Sequence, residues 1–207
     1  MKKVFVAVLL ILTVCTAAVF AKGYENYSGI GAGFGFSWAK VNGGDPDGAI
    51  WKASEIAIYA TDYGFFEKSP VGLFVNASFF VIPHRKLHLD ATHNYTLNTI
   101  VGFTGTIGPA FKFDLSKKLD LLLCIGFQLY DENRKIGDSY RWTTLYGLGL
   151  NAEAAYELND KFALTAGFAS SMFFGGKMKF VEDGSELEFD SFFEIRVIPK
   201  VAIYYVY

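Results

Sequence analysis

Val201-Ala202-Ile203-Tyr204-Tyr205-Val206-Tyr207 is the stretch on which the fold turns. Successive side chains of a β-strand point to opposite sides, so Val201, Ile203, Tyr205 and Tyr207 share one face. Chain ends are usually polar and frayed. An apolar, aromatic stripe that runs to the last residue implies that this face meets something other than water. The same two-faced pattern should then run through the rest of the chain.

Period-two alternation does recur along the chain. In residues 28–40, Ile30, Ala32, Phe34, Phe36 and Trp38 share one face, while Gly29, Gly31, Gly33, Gly35 and Ser37 fill the other. A second segment sets Ile56 and Ile58 against Glu55, Ala57 and Tyr59. A third sets Val71, Leu73, Val75 and Phe79 against Gly72, Phe74, Asn76 and Phe80. The fourth keeps one parity from Tyr95 to Phe113; Pro109 within it predicts a bulge or a strand end, since proline cannot donate to a ladder. Segments from Leu119 to Leu129, Trp142 to Leu158, Phe162 to Phe174 and Phe193 to Tyr207 bring the count to about eight strands. Their connections alternate in length. Lys117-Lys118, Asn159-Asp160-Lys161 and residues 65–69 are short; residues 41–50, 83–93, 131–141 and 175–188 are longer and polar.

Alternation leaves open which face points inward, because a soluble, lipocalin-like ligand-binding barrel also alternates, with its apolar face inside. The composition of the other face decides. A face in water carries Lys, Glu and Arg, whereas here it is mostly Gly, Ala, Ser, Thr and Asn, residues that suit the narrow interior of a small barrel. Charged residues make up only 19% of the chain, below the roughly one quarter of soluble domains. Aromatics gather at strand ends in two groups. Trp38, Trp142, Tyr95 and Phe193 lie by the long connections; Tyr156, Phe162, Tyr205 and Tyr207 lie by the short ones. Two aromatic girdles mark the two interfaces of a membrane.

The N-terminus fits export. Lys2 and Lys3 precede an uncharged apolar run from Val4 to Phe20, and Val19-Phe20-Ala21 offers a cleavage site, so residues 1–21 read as a signal peptide. The long run also leaves an uncleaved anchor open. A lipoprotein signal ending at Cys15 matches poorly, because Val14 is bulky. Beyond residue 21 no apolar stretch approaches the ~20 residues of a membrane helix. Cys124 is then the remaining cysteine, so no internal disulfide staples the fold. A formal net charge of −2 without a basic run excludes nucleic acid as a partner.

Taken together, these patterns resemble the small outer-membrane barrels of the OmpA-transmembrane, OmpX and OmpW type, and are similar to small outer-membrane proteins of treponemes. The resemblance spans residues 22–207 and implies one domain. Its fold would be all-β, a single antiparallel up-and-down transmembrane β-barrel of about eight strands with short periplasmic turns and longer external loops. It also implies outer-membrane lipid as surroundings and recognition of the terminal strand by the barrel-assembly machinery.

The inner face would hold Glu55, Glu153, Glu194, Arg196 and Lys200, with Lys112, Asp114, Asp120 and Glu157 nearer the turns. Facing lipid at mid-membrane, a Lys or Arg would cost about 2–4 kcal/mol. These charges are expected to pair across the lumen as a polar core, with a gated ion path as the sharper alternative. A wide porin is excluded, since that needs about sixteen strands. His84, His88 and His93 share one external connection with Asp90, but they match no zinc motif, and Arg85 and Lys86 would repel a cation. Arg85, Lys86 and His88 suit anionic headgroups or a host surface instead. No cofactor is expected. Ser139 and Ser185 lie in other connections, and Asn94-Tyr95 after His93 departs from the His-x-Ser arrangement of lipid A deacylases, so no catalytic site is read. The expected role is structural or adhesive, carried by external loops that meet an extracellular or host ligand. The alternative is a narrow OmpW-like conduit for small hydrophobic molecules, for which Phe74, Phe80, Leu122 and Leu145 would supply an apolar lumen.

Overall fold

The computed structural model describes residues 24–42, 50–66, 68–88, 94–97, 99–136, 139–180, 186–188 and 191–207. The signal peptide and its cleavage site lie outside these residues. Eight long strands form the wall: β1 (Tyr24–Asn42), β2 (Ile50–Phe66), β3 (Val71–Ile82), β6 (Ile100–Ser116), β7 (Leu119–Ile136), β8 (Ser139–Asn159), β9 (Phe162–Phe180) and β11 (Ser191–Val206). Three short strands, β4 (Arg85–His88), β5 (Asn94–Leu97) and β10 (Glu186–Glu188), extend it on the side of the long connections.

Each long strand pairs antiparallel with the next, and β1 pairs with both β2 and β11, so the sheet closes on itself. Ile30 stands opposite Ala60 on one side and Ile203 on the other. The last residue takes part in closure: Asn26 N donates to Tyr207 O at 2.9 Å and Tyr207 N to Asn26 O at 3.2 Å. A closed barrel leaves no unpaired edge, which is what makes strands viable in lipid.

The apolar stripe of every long strand faces outward. Ile30, Ile58 and Val201 keep 66%, 62% and 59% of their surface exposed, too much apolar area for a wall in water. A soluble ligand-binding barrel would hold these side chains inside, and the structure turns them out. The chain is an all-β transmembrane barrel. No helix among the described residues is long and apolar enough to cross a membrane; the strands do so.

The short connections are tight turns. Asn159 Oδ1 accepts from Lys161 N at 2.9 Å and Phe162 N at 3.1 Å, an Asx-type closure. Lys68, at φ 59°, takes the left-handed conformation that the β2–β3 turn requires. On the opposite side, several strands run further than the hydropathy pattern implies. β7 runs to Ile136 and β8 starts at Ser139, so residues 131–141 are mostly hairpin. Residues 83–93 contribute β4, which pairs with β2 and β5, and residues 175–188 contribute the end of β9 and β10. Polar side chains such as Asn133 mark where the wall leaves lipid, while the backbone ladder continues beyond.

Pro109 neither ends β6 nor bulges it. Ile107 pairs with Phe127 and Ala110 with Cys124, one register on both sides of the proline. The ladder toward β7 omits Pro109, while toward β3 Pro109 stands opposite Leu73. Pro199 repeats this in β11, opposite Phe168 of β9 and absent from the ladder to β1. A strand with two neighbours tolerates one missing donor on one side.

Candidate functional site

The inner face is a packed column of aromatic rings and ion pairs. Glu55, Glu153, Glu194 and Arg196 are each 1% exposed and Lys200 4%. Two clusters divide them.

Toward the external side, Arg196 of β11 donates through Nε to Glu55 Oε2 of β2 at 3.0 Å, and its Nη2 makes a second, shorter bond to the same oxygen. The guanidinium is enclosed by rings, with Cζ 4.4 Å from the centre of Tyr130 and 4.8 Å from that of Phe80. Phe80 and Tyr130 stack at 4.9 Å, and Phe173 packs on Tyr130 at 5.4 Å. Gly102 makes room for this stack, since a Cβ there would lie 2.4 Å from the Phe80 ring. Glu194 sits within electrostatic reach of Arg85 and Arg196, and neither of its carboxylate oxygens has a hydrogen-bond partner.

The second cluster, nearer the turns, is organised by Glu153 of β8. Lys200 lies 2.8 Å from Oε1, which also accepts from Tyr63 at 2.9 Å, Tyr204 at 3.0 Å and Asn151 at 2.6 Å. Thr165 donates to Oε2 at 2.7 Å. Side chains from β2, β8, β9 and β11 thus meet on one carboxylate. Below it, Tyr27 donates to Asp120 at 2.7 Å and Lys112 to both oxygens of Glu25 at 2.8 and 2.7 Å. Cys124 is buried within this half. Its thiol should resist maleimide in the folded barrel and react after heat unfolding; labelling before heating would show that the lumen admits reagents.

Phe74, Phe80, Leu122 and Leu145 are fully or almost fully buried on the inner face. They pack into the two clusters, Phe74 against Tyr63 at 4.7 Å and Phe80 against Tyr130.

Arg85 corrects the reading of the external connection. It is 1% exposed and lies within the barrel mouth rather than among surface groups. Its Nη1 and Nη2 donate to the two oxygens of Glu132, both at 2.7 Å, and its Cζ lies 4.9 Å from the centre of the Trp51 ring. The cause is strand parity. β4 pairs with β2 so that Arg85 faces Ala53 and Lys86 faces Lys52, which turns Arg85 inward and leaves Lys86 exposed. Alternation within β4 carries this signal, but the segment's polarity hides it.

The described residues include only part of the histidine cluster. His84 is exposed, His88 ends β4, and His93 lies outside the described residues. Among the described residues no group of three or more His, Cys, Asp or Glu side chains could hold a metal ion. Ser139 begins β8, and Ser185 lies outside the described residues.

The girdle aromatics Trp38, Phe193, Tyr156, Phe162, Tyr205 and Tyr207 face outward, and the Tyr95 side chain lies outside the described residues. Trp38 and Phe193 meet edge to face at 6.4 Å, Phe162 and Tyr205 at 5.6 Å, and Tyr205 stacks on Tyr207 at 5.4 Å. Tyr156 is exposed on the same wall and Trp142 half-buried.

The fold is that of known outer-membrane proteins. The neisserial surface protein A superimposes with a TM-score of 0.56 at 11% identity, over 89% of this chain and 97% of that one. OprG of Pseudomonas aeruginosa gives 0.57 at 11% identity, over 89% and 96%. A major outer-membrane protein of Thermus thermophilus gives 0.50 at 14% identity, over 89% and 99%. No curated protein matches by sequence. Residues 7–193 match the profile of the outer membrane protein beta-barrel domain. With its closed strand order, lipid-facing wall and that match, the chain belongs to the outer membrane protein beta-barrel domain family and resides in the outer membrane.

Proposed function

We propose that this barrel is a closed, non-enzymatic element of the outer membrane whose role lies in envelope integrity and surface interaction. The observation that carries the reading is the filled lumen. From Arg85–Glu132 at the mouth, through Arg196–Glu55, to Glu153–Lys200, buried ion pairs and stacked rings occupy the interior. A conduit needs a continuous path, and side chains bonded across the barrel oppose one. What remains accessible is the wall, which lipid covers, and the external rim at the ends of β4, β7 and β9. A small outside ligand or host surface would meet that rim.

Planar bilayers test this directly. The refolded protein should give no conductance steps, and liposomes containing it should take up a small hydrophobic solute no faster than empty ones. Uptake above the empty-liposome control would overturn the closed-barrel reading. Replacing residues 43–49 and 181–185 by short turns should remove binding to an outside surface while leaving the barrel folded; unchanged binding would sink the rim assignment.

A further inference from the structure

The outer wall carries a depression that a convex barrel does not need. Ala60, Ala77 and Gly105 stand in register across β2, β3 and β6, a row of small residues on the lipid side. The space over Gly105 is open, since a Cβ built there meets nothing within 4 Å. Ile58, Phe79 and Phe103 form the adjacent row toward the outside. Ile58, Ala60, Ala77, Phe79 and Phe103 line a groove of about 700 Å³.

The groove's external end differs from its floor. Asp131 and Trp142 line it there, Asp131 standing opposite Phe103 and Thr144. Thr144 Oγ1 lies 3.4 Å from Asp131 Oδ2, while Oδ1 is shielded from solvent without a hydrogen-bond partner. A carboxylate with one unpaired oxygen at the mouth of an apolar groove calls for a cation attached to an apolar body. An indole beside it adds a cation–π surface at the depth where tryptophans sit in membranes.

We infer that this groove holds one phospholipid with an ammonium-bearing headgroup. Its acyl chain lies over Ala60 and Ala77, and its ammonium meets Asp131 and Trp142. A headgroup-free apolar solute would leave Asp131 unpaired. A second barrel would present its own convex wall and leave the groove unfilled. The inference rests on the lipid-facing wall alone, so it stands or falls separately from the role of the rim.

The test uses tryptophan quenching. In a Trp38→Phe background, Trp142 is the indole on the wall, because Trp51 is buried inside. The barrel is held in a nonionic maltoside micelle at pH 7.5 and titrated with phosphatidylcholine or phosphatidylglycerol carrying brominated chains. Phosphatidylcholine should quench saturably at about a fivefold lower mole fraction than phosphatidylglycerol, the upper range for an exposed charge pair. Asp131→Asn should remove that preference, and Ala77→Phe should remove the saturable phase. Ala60→Leu, at an exposed position that lines the groove, provides the second filled groove. Heat-dependent gel mobility establishes that each variant is folded. Equal or linear quenching by both lipids, a preference for phosphatidylglycerol, or saturable quenching that survives both fillings would overturn the inference.

Discussion

Arg196→Met should destabilise the barrel by about 3–5 kcal/mol, the cost of removing one partner of a buried ion pair. The size follows from what is left behind. Glu55 loses both bonds from the guanidinium, and Glu194, which has no hydrogen-bond partner, loses one of the two cations facing it. Methionine fills much of the volume between Phe80, Tyr130 and Phe173, so loss of packing is the smaller part. A double change, Arg196→Met with Glu55→Leu, should therefore cost less than Arg196→Met alone, because replacing a buried pair by apolar groups is often close to neutral. Urea unfolding from lipid vesicles, run as a double-mutant cycle, gives both numbers. A neutral Arg196→Met would mean that water reaches Glu55 and Glu194, and the closed lumen would have to be abandoned.

The wall is the legible part of this protein, and the reason is geometric. Period two has only two phases, so a strand such as Leu119 to Leu129 places Ile125 and Phe127 on one face without knowledge of any neighbour. Which face meets lipid follows from the small, uncharged residues on the other. Pairing across the lumen is not legible. Arg196 and Glu55 are 141 positions apart and meet only after closure, and nothing in either strand marks the other as its partner. Strand ends are hard to place for a related reason. Hydropathy reports the edge of the bilayer, whereas the ladder ends where backbone pairing ends, several residues beyond in β7 and β9. Arg85 shows the cost of joining the two, since a polar segment read as loop hides a strand that carries its guanidinium inside.

Leu150→Lys should cost about 2–4 kcal/mol in a bilayer, as for a lysine on the lipid face of a barrel near the midplane. Leu150 lies on β8 between the outward aromatics Tyr146 and Tyr156, and 42% of its surface is exposed. In water the same change on an exposed strand position would fall within about 0.5 kcal/mol of neutral, so the sign and size of the effect identify the solvent on that face. Depth supplies the control. Leu158, equally outward but beside the short β8–β9 turn, should tolerate lysine at about 0–1 kcal/mol, because the ammonium there reaches the interface. The two variants differ in nothing but position along one strand, so the gap between them measures the bilayer itself. Equal costs at the two positions would mean that lipid does not cover the wall between Tyr146 and Tyr156, and the orientation of every strand would have to be reversed.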